Sequence, residues 1–167
     1  KHFVGHSFSE GARNHAPVRI GPHELQDTFL LPFEMAVKLA KAHSLMPAYH
    51  DLDGEPMHQS VHYLQKVLRE QWGFDGIIVS DYEGIAQLFV EHKTQPDIAA
   101  AAAAALKAGV DVELPGDTAY REGLKQALDR GELDMAVVDQ AVLRHLLWKF
   151  RLGLFDKPYV DEGGILP

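Results

Sequence analysis

Short, continuous apolar runs alternate along the chain with longer segments whose apolar residues recur at helical spacing. Three of these runs have the composition and the flanking turns of buried strands, over 44–49, 76–80 and 110–114. A fourth strand is indicated at the very start, where Phe3 and Val4 precede a glycine. Strands that are covered on both faces show such continuous runs rather than apolar–polar alternation.

The predicted helices lie between and after these strands. Apolar residues three and four positions apart predict helices over 23–43, 60–72, 97–108, 118–130 and 134–151. Pro32 is expected to break or kink the first helix, because proline lacks the amide hydrogen that a helix interior needs. Gly109 has the position of a helix C-cap. The proline- and glycine-rich residues 156–167 predict a linker.

The alternation of strands and helices, with connections of βαβ length, predicts an α/β fold with a parallel sheet. Three strands and a stub fit either a small open sheet or the C-terminal part of a barrel, which typically takes about 250 residues when complete. Both architectures bind their ligands beyond the carboxyl ends of the strands, so functional residues are expected there.

The composition excludes several classes of function. Of the 167 residues 46% are hydrophobic and 24% charged, as in a folded globular domain. A formal charge of −8 argues against a nucleic-acid partner, which needs a basic face. No apolar run is long enough to predict a membrane-spanning helix. The chain has no cysteine, and its ten histidines lack a zinc-binding spacing, so we expect neither thiolate chemistry nor a metal site.

The chain opens at Lys1 without an initiator methionine and passes at once into strand-like sequence. We therefore expect it to be a piece of a longer polypeptide. Under that interpretation, the absence of a leader sequence carries no information on localisation.

Asp81 is the strongest candidate for chemistry, because it follows the apolar run Ile77–Val79 and Ser80 at the tip of a predicted strand. A carboxylate held there, beside the aromatic Tyr82, could act as a nucleophile or base on a ring-shaped substrate. The structural alternative is a helix N-cap, since aspartate is a favoured cap and a helix could begin near Glu83.

A series of motifs in a fixed order resembles glycoside hydrolase family 3, on its β-glucosidase side. They are KHFVG at 1–5, GARNHAP at 11–17, LPFEMA at 31–36, MPAY at 46–49 with DGEP at 53–56, LREQWGFDG at 68–76 leading to SDY at 80–82, AGVDVELP at 108–115, and KFRLGLF at 149–155 with PYVD at 158–161. The resemblance covers nearly the whole chain, and the order of several motifs is more specific than any one of them.

The resemblance implies the C-terminal part of a (β/α)₈ TIM-type barrel over 1–155, incomplete without its N-terminal half, with 156–167 leading toward a second α/β sandwich domain. It implies retaining hydrolysis of β-glucosides and short β-linked oligosaccharides without a cofactor, with Asp81 as the nucleophile. The acid/base glutamate is expected outside this chain. The remaining segments of the same enzyme are therefore expected partners.

The resemblance also implies a set of sugar contacts around the first subsite. These substrate-binding residues are Lys1, His2, Arg13, Met46 and Tyr49, with Tyr82 as a wall of the subsite. The family commonly has tryptophan at the position of Tyr82, so we expect a smaller stacking surface here. Lys1 and Arg13 are the expected cationic partners that would keep the nucleophile ionised.

Several alternatives remain open from the sequence. A β-xylosidase differs from a β-glucosidase by the acceptance of one hydroxymethyl group, which depends on few contacts. An inactive fragment that only binds sugar and an unrelated small α/β binding domain are the other candidates. The polar loop residues His6, His15, His50 and Glu55 are interpreted as ordinary loop polarity. Asp111 and Glu113, on one side of the third strand, are expected to have structural roles.

Overall fold

A computed structural model describes residues 1–161 and 163. Its centre is a row of parallel strand segments in sequence order. Strand β1 (Ser44–Leu45) pairs in parallel with β4 (Ile77–Ile78), with Ser44 opposite Ile77. Single parallel bridges join Phe3 to Pro47 on one side and Val79 to Val112 on the other. All four predicted strands therefore lie side by side, although their regular pairing is shorter than the apolar runs.

A small antiparallel ribbon, absent from the prediction, follows the tip of the β1 segment. Strand β2 (Asp51–Leu52) pairs with β3 (Glu55–Pro56) across the turn at Asp53 and Gly54. Gly54 has φ +91°, a conformation that favours glycine, and its N–H donates to Oδ1 of Asp51 at 2.8 Å. This ribbon closes the loop that follows β1.

The helices surround this row of strands. They are α1 (Pro22–Glu24), α2 (Leu31–Lys38), α3 (Gly84–Val90), α4 (Ile98–Ala108), α5 (Leu124–Asp129) and α6 (Met135–Arg151), with π-helical segments at Leu25–Leu30, His62–Gln71 and Ala119–Gly123 and 3₁₀ turns at His6–Phe8, Glu10–Ala12 and Met57–Gln59. Side chains cap two of the predicted helices: Asp97 accepts from Ala100 N–H, and Asp134 accepts from Ala136 N–H.

The expectation that Pro32 breaks or kinks the first helix is wrong for the break. Helical structure continues from Pro22 to Lys38, and Pro32 is the second residue of α2. The preceding Leu25–Leu30 segment is π-helical, and a change of hydrogen-bonding register directly before a proline accommodates its missing amide hydrogen.

The main core lies between the strand row and the helices, with Phe3, Leu64, Leu68, Ile78 and Ile85 fully buried. A second, smaller cluster between α4, α5 and α6 contains mainly alanine and leucine, which allows these helices to approach closely.

One side of α6 is unlike the rest of the surface, because five apolar residues there are at least 39% exposed: Val142, Leu143, Leu146, Leu147 and Phe150.

A buried ion cluster fixes the end at which β4 begins. The Asp111 carboxylate, fully buried, accepts hydrogen bonds from Arg69 Nη2 at 2.7 Å, Arg144 Nε at 2.7 Å and Ile78 N–H at 2.9 Å. Arg69 also donates to the carbonyl of Gly76 at 3.0 Å. The expected structural role of Asp111 is confirmed.

The two tryptophans lie at this same end of the sheet. Trp72 and Trp148 are both buried and border one cleft, together with Phe74 and Asp75 at the start of β4. The indole N–H of Trp148 donates to the Asp75 carbonyl at 2.8 Å. They are therefore remote from the opposite strand end, which carries Asp81.

After α6 the chain turns at Gly153 and continues without regular structure to Asp161, with Tyr159 and Val160 more than 80% exposed. The rest of the predicted linker, residues 162 and 164–167, lies outside the described residues. No helix among those described is both long and apolar enough to cross a membrane.

Candidate active site

Asp81 lies just beyond β4, on a turn that hydrogen bonds to the next strand segment hold in place. Ser80 N–H donates to the Val112 carbonyl at 2.8 Å, and Leu114 N–H donates to Ser80 Oγ at 2.8 Å. Glu83, in the left-handed region at φ +57°, donates its N–H to the Leu114 carbonyl at 3.0 Å. This turn presents the Asp81 carboxylate at the predicted strand tip.

The carboxylate of Asp81 is not used as a helix cap. Helix α3 does begin close by, at Gly84, but its N-terminal residue Glu83 makes no side-chain cap. Oδ1 of Asp81 accepts the N–H of the adjacent Tyr82 at 2.9 Å, and the side chain is 11% exposed. The alternative interpretation of Asp81 as a helix N-cap therefore predicted the helix correctly, but the carboxylate does not cap it.

His2 reaches Asp81 from a different strand segment. Its Nε2 lies 3.4 Å from Oδ2 of Asp81, and the imidazole is about three-quarters buried. Burial lowers the pKa of His2 below its usual value, against the opposing effect of the Asp81 charge. The contact is therefore one between a neutral imidazole and a carboxylate.

Tyr49 approaches the same carboxylate from the segment after β1. Burial, and next the hydrogen-bonding Asp81 carboxylate, raise the pKa of the Tyr49 phenol to about 12, so that it remains a protonated donor. The backbone of Tyr49 is itself fixed, because its carbonyl lies 2.8 Å from Nε2 of His92. The ring of His15 packs against the phenol at 4.4 Å between centroids.

Two buried histidines support this arrangement, and sequence reasoning missed both. Nε2 of His58 accepts the backbone N–H of Asp81 at 3.0 Å. Nε2 of His50 lies 2.9 Å from the carbonyl of Val4, so His50 connects the strand that carries His2 to the segment that carries Tyr49. Burial lowers the pKa of each imidazole to about 4. The interpretation of His50 as loop polarity is therefore wrong.

Neither Lys1 nor Arg13 forms an ion pair with the Asp81 carboxylate in the described chain. Lys1 is exposed beside a cavity of about 410 Å³ that His6, Phe29 and Phe33 also border. Arg13 is exposed, and its Nε lies 3.5 Å from the Glu10 carbonyl. Within residues 1–161 and 163, the basic side chain that lies within 4 Å of the Asp81 carboxylate is that of His2 rather than the expected Lys1 or Arg13.

Met46 and Tyr82 have different surroundings. Met46 is half-buried, and its carbonyl accepts the Phe3 N–H at 2.8 Å, which ties the first two strand segments together. Tyr82 is 58% exposed beside Asp81, as a wall of an open site would be.

Glu113 makes no ion pair in the described chain; its carboxylate accepts the N–H groups of Ala119 at 2.9 Å and Tyr120 at 2.7 Å. No group of three or more histidine, aspartate or glutamate side chains in the described part of the chain could hold a metal ion.

The arrangement combines a nearly buried carboxylate, a neutral imidazole and a protonated phenol around one point. Such a carboxylate can attack an electrophilic carbon or accept a proton, while the neighbouring N–H and O–H groups can bind hydroxyl groups.

Comparison with known proteins identifies the family of the chain. The family model for the glycosyl hydrolase family 3 N-terminal domain matches residues 1–147. A beta-xylosidase of Formosa agariphila is 36% identical over 93% of this chain and 22% of its own length. A periplasmic beta-glucosidase of Salmonella typhimurium is 34% identical over 98% of this chain and 21% of its own length.

Solved structures of β-glucosidases have the same fold over nearly the whole chain. The enzyme from Erythrobacter marinus superposes with a TM-score of 0.92 at 40% identity, over 96% of this chain and 21% of that one. The enzyme from Listeria innocua in complex with glucose gives a TM-score of 0.89 at 33% identity, over 95% of this chain and 22% of that one. The chain thus spans about a fifth of the length of these relatives. The motifs, the fold and the family match together establish that the chain belongs to glycosyl hydrolase family 3, within its N-terminal domain.

Proposed function

We propose that this chain carries the nucleophile and part of the first sugar subsite of a retaining β-glucosidase. The observation that supports this most directly is the Asp81 carboxylate, nearly buried at the tip of β4, with His2 at 3.4 Å and the phenol of Tyr49 as a hydrogen-bonding neighbour. The named glucosidase relatives and the glucose complex of the Listeria innocua enzyme support a sugar as the substrate class.

In the proposed reaction an oxygen of Asp81 attacks the anomeric carbon of a terminal β-D-glucosyl residue. The bond from that carbon to the aglycone oxygen breaks, and an acid outside this chain gives the leaving oxygen its proton. Water then attacks the glycosyl ester, loses a proton to the same outside residue as its conjugate base, and releases glucose with the β configuration retained. The Tyr82 N–H and His2 orient the attacking carboxylate.

We further propose that residues 1–155 are the C-terminal part of a (β/α)₈ barrel. His2 and Asp81 belong to segments with the β1 segment between them, yet their side chains meet. Strands two apart in a sheet are separated by roughly 10 Å, and the two side chains span this distance by extending to the same side, as the inner-facing side chains of a barrel do. The relatives' greater length supports further strands beyond Phe3 and Val112, and 156–167 as a connection to another domain.

A β-xylosidase is the second candidate, favoured by the 36% identity to the Formosa agariphila xylosidase. The two substrates differ by one hydroxymethyl group, which a pocket discriminates by only about 1–3 kcal/mol. The ratio of kcat/KM for 4-nitrophenyl β-glucoside and β-xyloside decides between them.

The test of the proposal uses the complete polypeptide that carries this chain. Asp81→Asn should lower turnover of an aryl β-glucoside by several orders of magnitude without loss of folding, whereas Asp117→Asn, at an exposed position, should leave it unchanged. A 2-fluoroglucoside with a good leaving group should label the peptide containing Asp81. Labelling elsewhere would refute the assignment, and sugar binding without labelling or turnover would support an inactive binding module instead.

A further inference from the structure

We propose that His58 is a positioning residue for Asp81: its neutral imidazole accepts the backbone N–H of Asp81 and fixes the point from which the carboxylate projects. This inference rests on the proposed nucleophilic role of Asp81. It assigns a function to a residue outside the motifs quoted for the family resemblance, 23 positions before the one it supports.

The hydrogen bond itself determines the state of the ring. A backbone amide can only donate, so Nε2 of His58, 3.0 Å from the Asp81 nitrogen, must carry a lone pair. The hydrogen of the neutral ring is then on Nδ1, which has the carbonyl of Ala48 as its partner. With 2% of its surface exposed, His58 therefore has both nitrogens used, one as acceptor and one as donor.

The ring is also held from its sides. A Cβ atom on residue 84 would lie 2.4 Å from Nε2 of His58, so the ring occupies space that only a glycine leaves free. The ring of Tyr49 stacks near the imidazole, with 6.4 Å between centroids and 28° between planes. Ala48 is in turn anchored, because its N–H donates to the Phe3 carbonyl at 2.7 Å.

This connection has a direct geometric consequence for the carboxylate. Two successive N–H groups fix the turn: that of Asp81 donates to His58, and that of Tyr82 donates to the Asp81 carboxylate itself. Without an acceptor at residue 58, the buried N–H of Asp81 would lose its partner, and the turn could rotate to find another. A displacement of about 1 Å of an attacking group can lower its rate about 100-fold.

Two substitutions of similar size separate positioning from packing. In His58→Gln the side-chain carbonyl can reach the site of Nε2 and accept from Asp81. In His58→Asn the amide can reach only the site of Nδ1 and donate to Ala48. The readout is the rate constant for labelling by a saturating 2-fluoroglucoside whose dinitrophenolate leaving group needs no proton, measured per labelled site in the complete polypeptide.

We expect His58→Asn to label Asp81 at least 10-fold more slowly than the parent protein, and His58→Gln to restore the rate to within about 3-fold. The dissociation constant for glucose, measured by protection against labelling, should change little in either variant. A merely structural role would change both variants alike, so equal labelling rates in the two would overturn the proposal. Labelling of a residue other than Asp81 would instead overturn the proposed function.

A third variant keeps the test decisive if neither substitution folds. Gly84→Ala pushes on His58 without removing a polar group and should also slow labelling about 10-fold or more. Gly116→Ala is its matched control, because an added Cβ there meets nothing within 4 Å, and it should label at the parent rate. An unchanged rate in Gly84→Ala, with folding intact, would also overturn the proposal.

Discussion

The imidazole Nε2 of His2 lies 3.4 Å from Oδ2 of Asp81, although another strand segment lies between the two that carry them. His2 and its neighbour Lys1 differ in this respect, since Lys1 is exposed at the edge of a cavity and has no ion pair with Asp81 in the described chain. Of the two residues that we expect to bind the first sugar, His2 therefore also contacts the proposed nucleophile, whereas Lys1 is expected to act on the sugar alone.

Substitution of either residue should weaken hydrogen bonds to glucose that strengthen in the transition state. Loss of one charge-assisted hydrogen bond costs about 1.5–3 kcal/mol, so we expect a 10- to 150-fold fall in kcat/KM for Lys1→Ala. His2→Ala removes a contact with the charged Asp81 carboxylate, so we expect a fall of similar size. Both variants should also slow labelling of Asp81, because kcat/KM and labelling share the attack of the carboxylate on the sugar. Lys66→Ala, which removes a surface pair with Glu70, is the control and should leave kcat/KM unchanged. An unchanged kcat/KM in both variants would mean that the pair is structural or solvated.

The buried cluster around Asp111 should contribute to stability and not to chemistry. Asp111→Ala would leave Arg69 and Arg144 without their buried carboxylate, and removal of one partner from such a cluster costs about 3–5 kcal/mol. Asp75→Ala removes an exposed partner of Arg151 and should cost less than about 1 kcal/mol. Urea unfolding of the complete polypeptide measures both. Equal losses in the two variants would contradict the structural role.

Acid should destabilise the fold through His50 and His58. Burial lowers their pKa to about 4, so between that value and the ordinary 6.5 the unfolded chain binds more protons than the folded one. The free energy of unfolding should therefore fall as pH is lowered from about 6.5 to 4, by roughly 3 kcal/mol for each histidine, and be insensitive to these groups above that range.

The check is thermal unfolding at a series of pH values between 4 and 7. The variants His50→Gln and His58→Gln should each reduce the slope of stability against pH, because glutamine does not titrate. The exposed His23→Gln is the control and should leave the slope unchanged. A slope unaffected by both core substitutions would show that other groups cause the acid sensitivity.

Residues 1–167 alone should be poorly folded and inactive. Phe3 and Val112 stand at the two ends of the strand row, and α6 exposes five apolar side chains to solvent. Chemical denaturation of the isolated chain should give a broad transition, whereas the same residues within the complete polypeptide should unfold cooperatively. An isolated monomer that melts cooperatively and hydrolyses aryl β-glucosides would refute this, and the acid would then be sought among Glu10, Glu55 and Glu83.

The order of strands and helices could be predicted from the sequence, because a continuous apolar run such as 76–80 indicates a buried strand. The carboxylate that follows the run indicates the C-terminal tip of that strand. The length of regular pairing cannot be predicted in this way, since apolar composition indicates burial but not how many residues pair, here only Ser44–Leu45 with Ile77–Ile78. The continuation of the helix through Pro32 could not be predicted either, because nothing in the local sequence indicates the π-helical segment Leu25–Leu30 before it.

The histidines show a second limit. His58 and His50 become buried only through partners 23 and 46 residues away in sequence, Asp81 and Val4, and nothing in their local sequence separates them from the exposed His23. The position of Asp81 at a strand tip could be predicted from its motif, whereas its hydrogen bond with His58 required the three-dimensional arrangement.

The position of the two tryptophans has a practical spectroscopic consequence. The chain has only Trp72 and Trp148, and both are buried beside Asp75, where β4 begins, at the opposite end from Asp81. Their emission should thus report the integrity of the sheet while remaining insensitive to ligand occupancy. Changes in ultraviolet absorbance on sugar addition would arise instead from tyrosine, with Tyr49 and the exposed Tyr82 as optical reporters next to the carboxylate.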